Sequence, residues 1–250
     1  MNTADSPGWK WDGKRDVYVG LPEELWKQQI RISELADWLL SVDNQVRIQQ
    51  HLSRYLQSYK GRFFEVLRAQ SSPRRFEIFD VSAAETLSVT VRPRAVNKLL
   101  ESLEIAETVG AICDSLVPGK DTLWTCDLDL LTGDKDALHT SGLLFGLYYK
   151  LRGKDIGIGP VTTSKLLAAK FPKVVPIRDS QVAELLGMTR RNDWWTAIRD
   201  QFTPQLVQHL DGLTLPDGTG HVSTVRRLDI ILWMEANARG ISLRRQAEGE

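Results

Sequence analysis

The sequence predicts a mainly α protein, and three observations carry that prediction. Apolar residues recur at helical spacing in most segments of the 250-residue chain. Strand-like alternation is confined to residues 76–92. The composition, 42% hydrophobic and 26% charged, is that of a globular chain able to bury a core. The expected architecture is a two-lobed helical bundle of roughly eight to ten helices, with a cleft between the lobes and a short β element near residues 76–92.

Residues 1–20 carry Gly, Pro, Asp and Lys with little periodicity and read as an extended N-terminal arm. Residues 21–240 read as one helical domain, and 241–250 as a charged tail. From 22 to 58 the apolar residues Leu25, Ile30, Ile32, Leu35, Leu39, Val46, Ile48, Leu52 and Leu56 fall at helical spacing. Ser33 and Asp43 stand where N-caps are expected. Residues 70–75, basic and containing Pro73, read as a loop. In 76–92, Phe76 and Ile78 and then Leu87, Val89 and Val91 alternate, which favours strands. The competing reading there is a helix starting at Asp80, since Val81, Ala83, Ala84 and Leu87 also suit one. Further helices are expected over 94–116, 137–151, 161–171, from Ser180, over 194–210 and over 223–238. Pro118-Gly119 ends the first of these, and a loop with Pro216 fills 211–222.

Lys+Arg 32 against Asp+Glu 32 leaves no net charge, which argues against a wholly basic coat protein and against an acidic tail. Charge is nevertheless uneven. Residues 46–76 and 148–178 are each strongly basic, and 77–147 are acidic. That pattern fits one face for a polyanion; composition alone favours ordinary solvated helix faces. Two cysteines, Cys113 and Cys126, are too few for a disulfide framework, a four-cysteine zinc site or an iron–sulfur cluster. No apolar run is long enough for a membrane span, and residues 1–16 lack an apolar signal core. A cytoplasmic monomer is expected, without a nucleotide cofactor or any other cofactor and without a membrane partner.

The most informative segment is Asp155-Ile156-Gly157-Ile158-Gly159-Pro160-Val161-Thr162, set between two apolar helices at 140–171. Gly157 and Gly159 permit positive φ and close backbone approach. Their amides, with those of Ile158, Val161 and Thr162, can converge on a phosphate at the start of the next helix. Pro160 suits the first helical position, where its missing N–H costs nothing. Lys154 and Lys165 add positive charge near the site, and Lys165 is expected to face solvent or phosphate. A dinucleotide-binding turn would need a strand before Gly157 and a third glycine, and neither is present.

This unit resembles the helix-hairpin-helix of the base-excision DNA glycosylase superfamily. The resemblance extends to Val175-Pro176-Ile177-Arg178-Asp179-Ser180, where Asp179 follows Gly159 by 20 residues. It implies that Asp179 is the catalytic carboxylate, and that the hairpin holds double-stranded DNA, aided by Arg178 and by a monovalent cation at the hairpin carbonyls. No other metal is implied. Val161 occupies the position where bifunctional members carry a lysine nucleophile, so the resemblance implies a monofunctional enzyme with water as nucleophile. Asp is also a preferred N-cap, so a purely capping role for Asp179 stays open. So do a non-catalytic DNA-binding module and a helical protein-interaction module. The chain also resembles an uncharacterised, largely actinobacterial family, on Leu87-Ser88-Val89 and on Arg226-Arg227-Leu228-Asp229 leading to Leu232-Trp233-Met234; no function follows from that.

Trp194, Trp195 and Tyr149 are candidates for stacking on a base. Adjacent tryptophans face different sides of a helix, so one of the pair is expected in the core. Arg226, Arg227 and Asp229 read either as a structural ion pair or as a DNA-facing group. The damage type, and repair of DNA against defence from phage carrying modified bases, stay open at this level.

Overall fold

The computed structural model describes residues 8–11, 16–21, 28–117, 120–132, 142–189 and 193–241. Among them the protein is mainly α, with thirteen α-helices and one small antiparallel sheet. Helices α1 (Leu35–Leu40) and α2 (Gln45–Ser58) come first, followed by α3 (Phe64–Arg68). Then come α4 (Ile78–Thr86), α5 (Pro93–Glu101), α6 (Leu103–Ser115) and α7 (Leu128–Leu131). The second half holds α8 (Leu143–Arg152), α9 (Pro160–Lys170), α10 (Ser180–Leu185), α11 (Trp194–Arg199), α12 (Pro204–Gly212) and α13 (Thr224–Ala238). No helix among the described residues is long and apolar enough to cross a membrane.

The only sheet among the described residues is not at 76–92. It pairs β1 (Gly8–Trp11) with β2 (Asp16–Val19), running in register from Gly8 opposite Val19 to Trp11 opposite Asp16. The hairpin docks on α2: the Trp9 indole donates to His51 Nδ1 at 3.1 Å, and the Tyr18 hydroxyl donates to Gln50 Oε1 at 3.1 Å.

The β element expected at 76–92 is corrected to helix. Glu77 and Asp80 form a reciprocal capping box, each side chain accepting from the other end of the first turn. Val81, Ala83 and Ala84 are buried while Ile78 and Phe79 are exposed. The alternation of apolar residues therefore did not mark a buried face. After the helix, Ser88 turns the chain at φ +62°, and Val91 is buried with its amide donating to Glu85 Oε1 at 3.1 Å. No partner strand lies beside this segment in the described residues.

Long periodic stretches are cut where local capping competes with propagation. Ser102 accepts from the Ile105 amide and separates α5 from α6. Thr203 accepts from the Leu206 amide, and Pro204 opens α12. Ser33 and Asp43 do not cap by side chain; both sit inside short 3-10 turns, Ile32–Glu34 and Val42–Asn44.

Most of the buried apolar side chains form one core from Ile30 to Ile241, and Tyr18, Leu21 and Ala238 form a small second cluster beside Trp9. Helix α13 runs through it, burying Leu228, Ile231, Leu232 and Met234 against α2, α10 and α12. Each fully buried leucine of this kind contributes about 1.5–3 kcal/mol. Two buried ionic clusters tie the layers together. Lys170 Nζ meets Asp80 Oδ2 at 2.6 Å, joining α9 to α4. Glu235 on α13 accepts from His51 at 2.7 Å and from Arg239 at 2.8 Å.

Candidate active site

The site begins with the turn between α8 and α9. Gly157, at φ +71°, donates to Gly153 O at 2.7 Å, and Ile158 donates to Leu151 O at 3.2 Å. Ile158 is buried and pins the two helices together, while Gly157 and Gly159 are exposed. The amides of Gly159, Val161 and Thr162 have no acceptor among the described residues; the first bond of α9 runs from Thr163 to Gly159 O. At Gly159, φ is −68° and a Cβ would meet nothing within 4 Å. The fold itself therefore does not require glycine there.

Val161 borders a cavity of about 480 Å³. Lys165, one helical turn further along α9, points into it. This corrects the expectation that Lys165 faces solvent: it is 6% exposed, its Nζ donates to Leu87 O at 2.8 Å, and it lies 3.3 Å from Asp179 Oδ2. Burial pushes the lysine's pKa down, and the charge and hydrogen bond of Asp179 act against that shift. Asp179 ends the extended link after α9 and is the N-cap of α10, its Oδ1 accepting from the Gln181 amide at 3.0 Å. One carboxylate thus caps a helix with one oxygen and faces an ammonium with the other.

The opposite lining is aromatic. Tyr55 and Tyr59 stack with centroids 5.6 Å apart and planes at 5°, and Trp233 stands edge-on to both. Arg226, buried, donates from Nη2 to the Tyr55 hydroxyl at 2.8 Å and faces Glu65, with Nε 3.7 Å from Oε1. Asp229 also lines the cavity, both its oxygens 3.1 Å from the Ile177 amide. Burial pushes the Asp229 carboxyl up to about 8, against the lowering influence of Arg226 and that amide. Sequence reasoning singled out neither Tyr55, Tyr59 nor Trp233 as cavity residues. The signal was present as spacing: Tyr55 on α2 and Tyr59 at its C-cap are i, i+4, and Arg226, Asp229 and Trp233 are i, i+3, i+7 on α13.

The remaining expected site residues are dispersed. Lys154 is exposed on the turn, and Thr162 is half-buried beside it. The Arg178 amide donates to Ser164 Oγ at 2.7 Å. Its side chain faces a different cavity, shared with Tyr149, Trp194 and Trp195. Both tryptophans are buried, at 4% and 7% exposure, so the expected division into one core and one free ring is corrected. The basic stretches do not make one open face. Arg47, Arg68, Arg74, Arg75, Lys150 and Lys170 are held in ion pairs with Glu235, Glu65, Asp114, Glu77, Glu104 and Asp80.

Comparison with curated proteins gives no match, and comparison with solved structures gives none. One family model matches, over residues 48–236, well over half of the chain. Its description is a family of unknown function, and the matched span contains the hairpin, Lys165, Asp179 and the aromatic lining.

Proposed function

The chain belongs to DUF6308, a family of unknown function; membership brings no activity with it, and we propose from the cavity itself that the protein is a DNA glycosylase. In this reading it hydrolyses the N-glycosidic bond of a damaged or modified base, with Asp179 as its catalytic carboxylate. The observation that carries the reading is the Lys165–Asp179 pair inside a cavity bordered by Val161 of the hairpin. A capping aspartate needs no buried lysine and no cavity. A carboxylate that acts on a sugar needs a cavity to receive that sugar, and an adjacent ammonium offsets the cost of placing a charge away from bulk water.

The chemistry follows from that placement. The unpartnered amides of Gly159, Val161 and Thr162 grip a backbone phosphate at the mouth, and Lys154 adds charge there. Glycine at 159 then serves close approach from outside, since the fold does not demand it. The target base leaves the stack, at a cost of a few kcal/mol, and enters beside Tyr55, Tyr59 and Trp233. As the C1′–N bond breaks, its electron pair goes to the base and positive charge grows on the sugar. The Asp179 carboxylate stabilises that charge and orients the attacking water. The cavity plays the part of the cleft between two lobes.

The test is incubation of wild-type and Asp179→Asn protein with DNA carrying a panel of lesions and modified bases, followed by alkali. Strand breaks made by wild type and reduced about 10²–10³-fold or more in the variant are expected. Breaks on no substrate, with salt-sensitive DNA binding intact, would leave the non-catalytic DNA-binding reading.

A second reading has a specific observation behind it. Lys165 is an amine held in the cavity beside Asp179, and burial pushes its pKa down, the direction that favours the neutral, nucleophilic form. Its lone pair would attack C1′ as the base departs with the bonding pair, and opening of the sugar would give an imine. Borohydride would then trap a covalent protein–DNA adduct that Lys165→Met protein does not form. Excision without any adduct supports water as the nucleophile.

A further inference from the structure

A second cavity, of about 270 Å³, adjoins the first along the extended link: Arg178 lines it, and the next residue, Asp179, lines the other. Its walls are aromatic, with Tyr148 and Tyr149 from α8 and Trp194 and Trp195 from α11. Tyr148 stands edge-on to Trp195, with centroids 5.4 Å apart. The exposed Arg152 guanidinium lies over both tyrosines, 5.1 Å and 5.4 Å from their centroids. Neither Arg152 nor Arg178 is in an ion pair among the described residues. Asp193 is the carboxylate on the lining, so cations outnumber anions there.

Two polar atoms of these lining residues are unsatisfied. The indole Nε1 of Trp194 and the hydroxyl of Tyr148 are buried and have no hydrogen-bond partner among the described residues. The residues themselves are 4% and 8% exposed. Folded proteins seldom leave buried donors unpaired, and both of these belong to residues that line the cavity. A volume at the small end of ligand cavities suits one planar ring system.

We propose that this cavity binds a nucleotide unit. The base lies against Tyr149 and the tryptophans, and its polar edge accepts from Trp194 Nε1 and bonds the Tyr148 hydroxyl. The phosphate is held by Arg152 and Arg178. A free nucleotide and a nucleotide within a DNA strand present the same chemistry. The inference stands apart from base excision, because its residues are not those of the Asp179 cavity.

The experiment is calorimetric titration of Asp179→Asn protein, in which excision plays no part, with thymidine and deoxyadenosine 5′-monophosphates and with a thymidine tetranucleotide. Ribose 5-phosphate, which lacks the base, is the control. Binding with a Kd of about 1 mM or tighter is expected, with none for ribose 5-phosphate. Arg152→Gln and Tyr149→Leu are each expected to weaken it about tenfold or more. Trp194→Phe, which keeps a ring and removes the donor, weakens it several-fold; thermal melts confirm that each variant is folded. Mononucleotide binding identifies a free nucleotide as the ligand; binding of the tetranucleotide alone, with the same sensitivity to the variants, identifies a strand. No binding of either, or binding unchanged in folded Arg152→Gln and Tyr149→Leu proteins, overturns the proposal.

Discussion

Asp179 serves two partners, the Gln181 amide and the Lys165 ammonium, and the two roles separate by mutation. Replacement by Asn keeps a capping oxygen. It leaves Lys165 buried without its counter-ion, and breaking a buried pair costs about 3–5 kcal/mol. We expect Asp179→Asn to lower the melting temperature clearly. The double variant Asp179→Asn/Lys165→Met should regain part of that loss, because no charge is then stranded. Excision should be lost in both. A double variant no more stable than the single, by thermal denaturation, would mean that the pair is not coupled in the folded protein. Lys170 and Asp80 give a simpler case, since both are buried and Lys170 also donates to Ser72 O at 2.6 Å. Lys170→Met should destabilise by about 3–5 kcal/mol in a denaturant titration.

At the scale of elements, the α8–α9 turn has two glycines with different reasons to be there. Gly157 is at φ +71°, so Gly157→Ala should cost about 1–2 kcal/mol of stability through backbone strain. Gly159 has ordinary φ and open space around its Cα. Gly159→Ala should therefore melt like wild type yet bind duplex DNA several-fold more weakly, because a methyl group would stand where a phosphate approaches. Gel-shift titrations across a salt series read this directly, and the wild-type affinity itself should fall steeply with salt. Unchanged affinity in Gly159→Ala would remove the phosphate-gripping role of the turn. The turn was legible in the sequence because glycine, proline and helix-starting chemistry are local. The helix α4 was less so, since the same apolar residues suit a strand. What decided it was the Glu77–Asp80 capping box, a side-chain bond that apolar periodicity does not register.

At the scale of the whole molecule, buried titratable groups set the pH window of stability. The His51 ring sits between the Trp9 indole, which donates to Nδ1, and Glu235. Burial pushes its pKa below the ordinary 6.5, and a proton on Nδ1 would break the contact that docks the β hairpin. The native state then holds fewer protons than the unfolded chain just below 6.5, so stability falls as pH falls through that range. Burial alone would raise Glu235, but the His51 hydrogen bond and the charges of Arg239 and Arg47 hold it at about 2, below its usual 4.5. Its contribution is lost as pH falls from 4.5 toward 2. Asp229 acts in the opposite sense. Raised from 3.8 to about 8, it lets the native state hold the extra proton, so stability declines as pH rises through that interval. Melting curves from about pH 3 to about pH 9 should show both slopes. Asp229→Asn should flatten the decline between pH 6.5 and about 8, above the range of the opposing His51 contribution, and leave the acid-side loss in place. A decline in that window that persists in Asp229→Asn would assign it to another group.

The sequence by itself determined what depends on neighbours along the chain. The helical class, the glycine turn, Pro160 at the start of α9 and Asp179 at the start of α10 follow from periodicity, fixed φ and the hydrogen-bonding reach of short polar side chains. Only the tertiary structure decided what depends on residues far apart in sequence. It brought Lys165 from α9 to Asp179 and to Leu87 O, turned Tyr55, Tyr59 and Trp233, far apart in sequence, into one lining, and drew Arg47, Arg68, Lys150 and Lys170 of the basic stretches into ion pairs. It also paired β1 with β2 and set them on α2. The physical reason is burial: a charge or an aromatic ring reads the same in a sequence whether it faces water or a partner, and only close packing determines which.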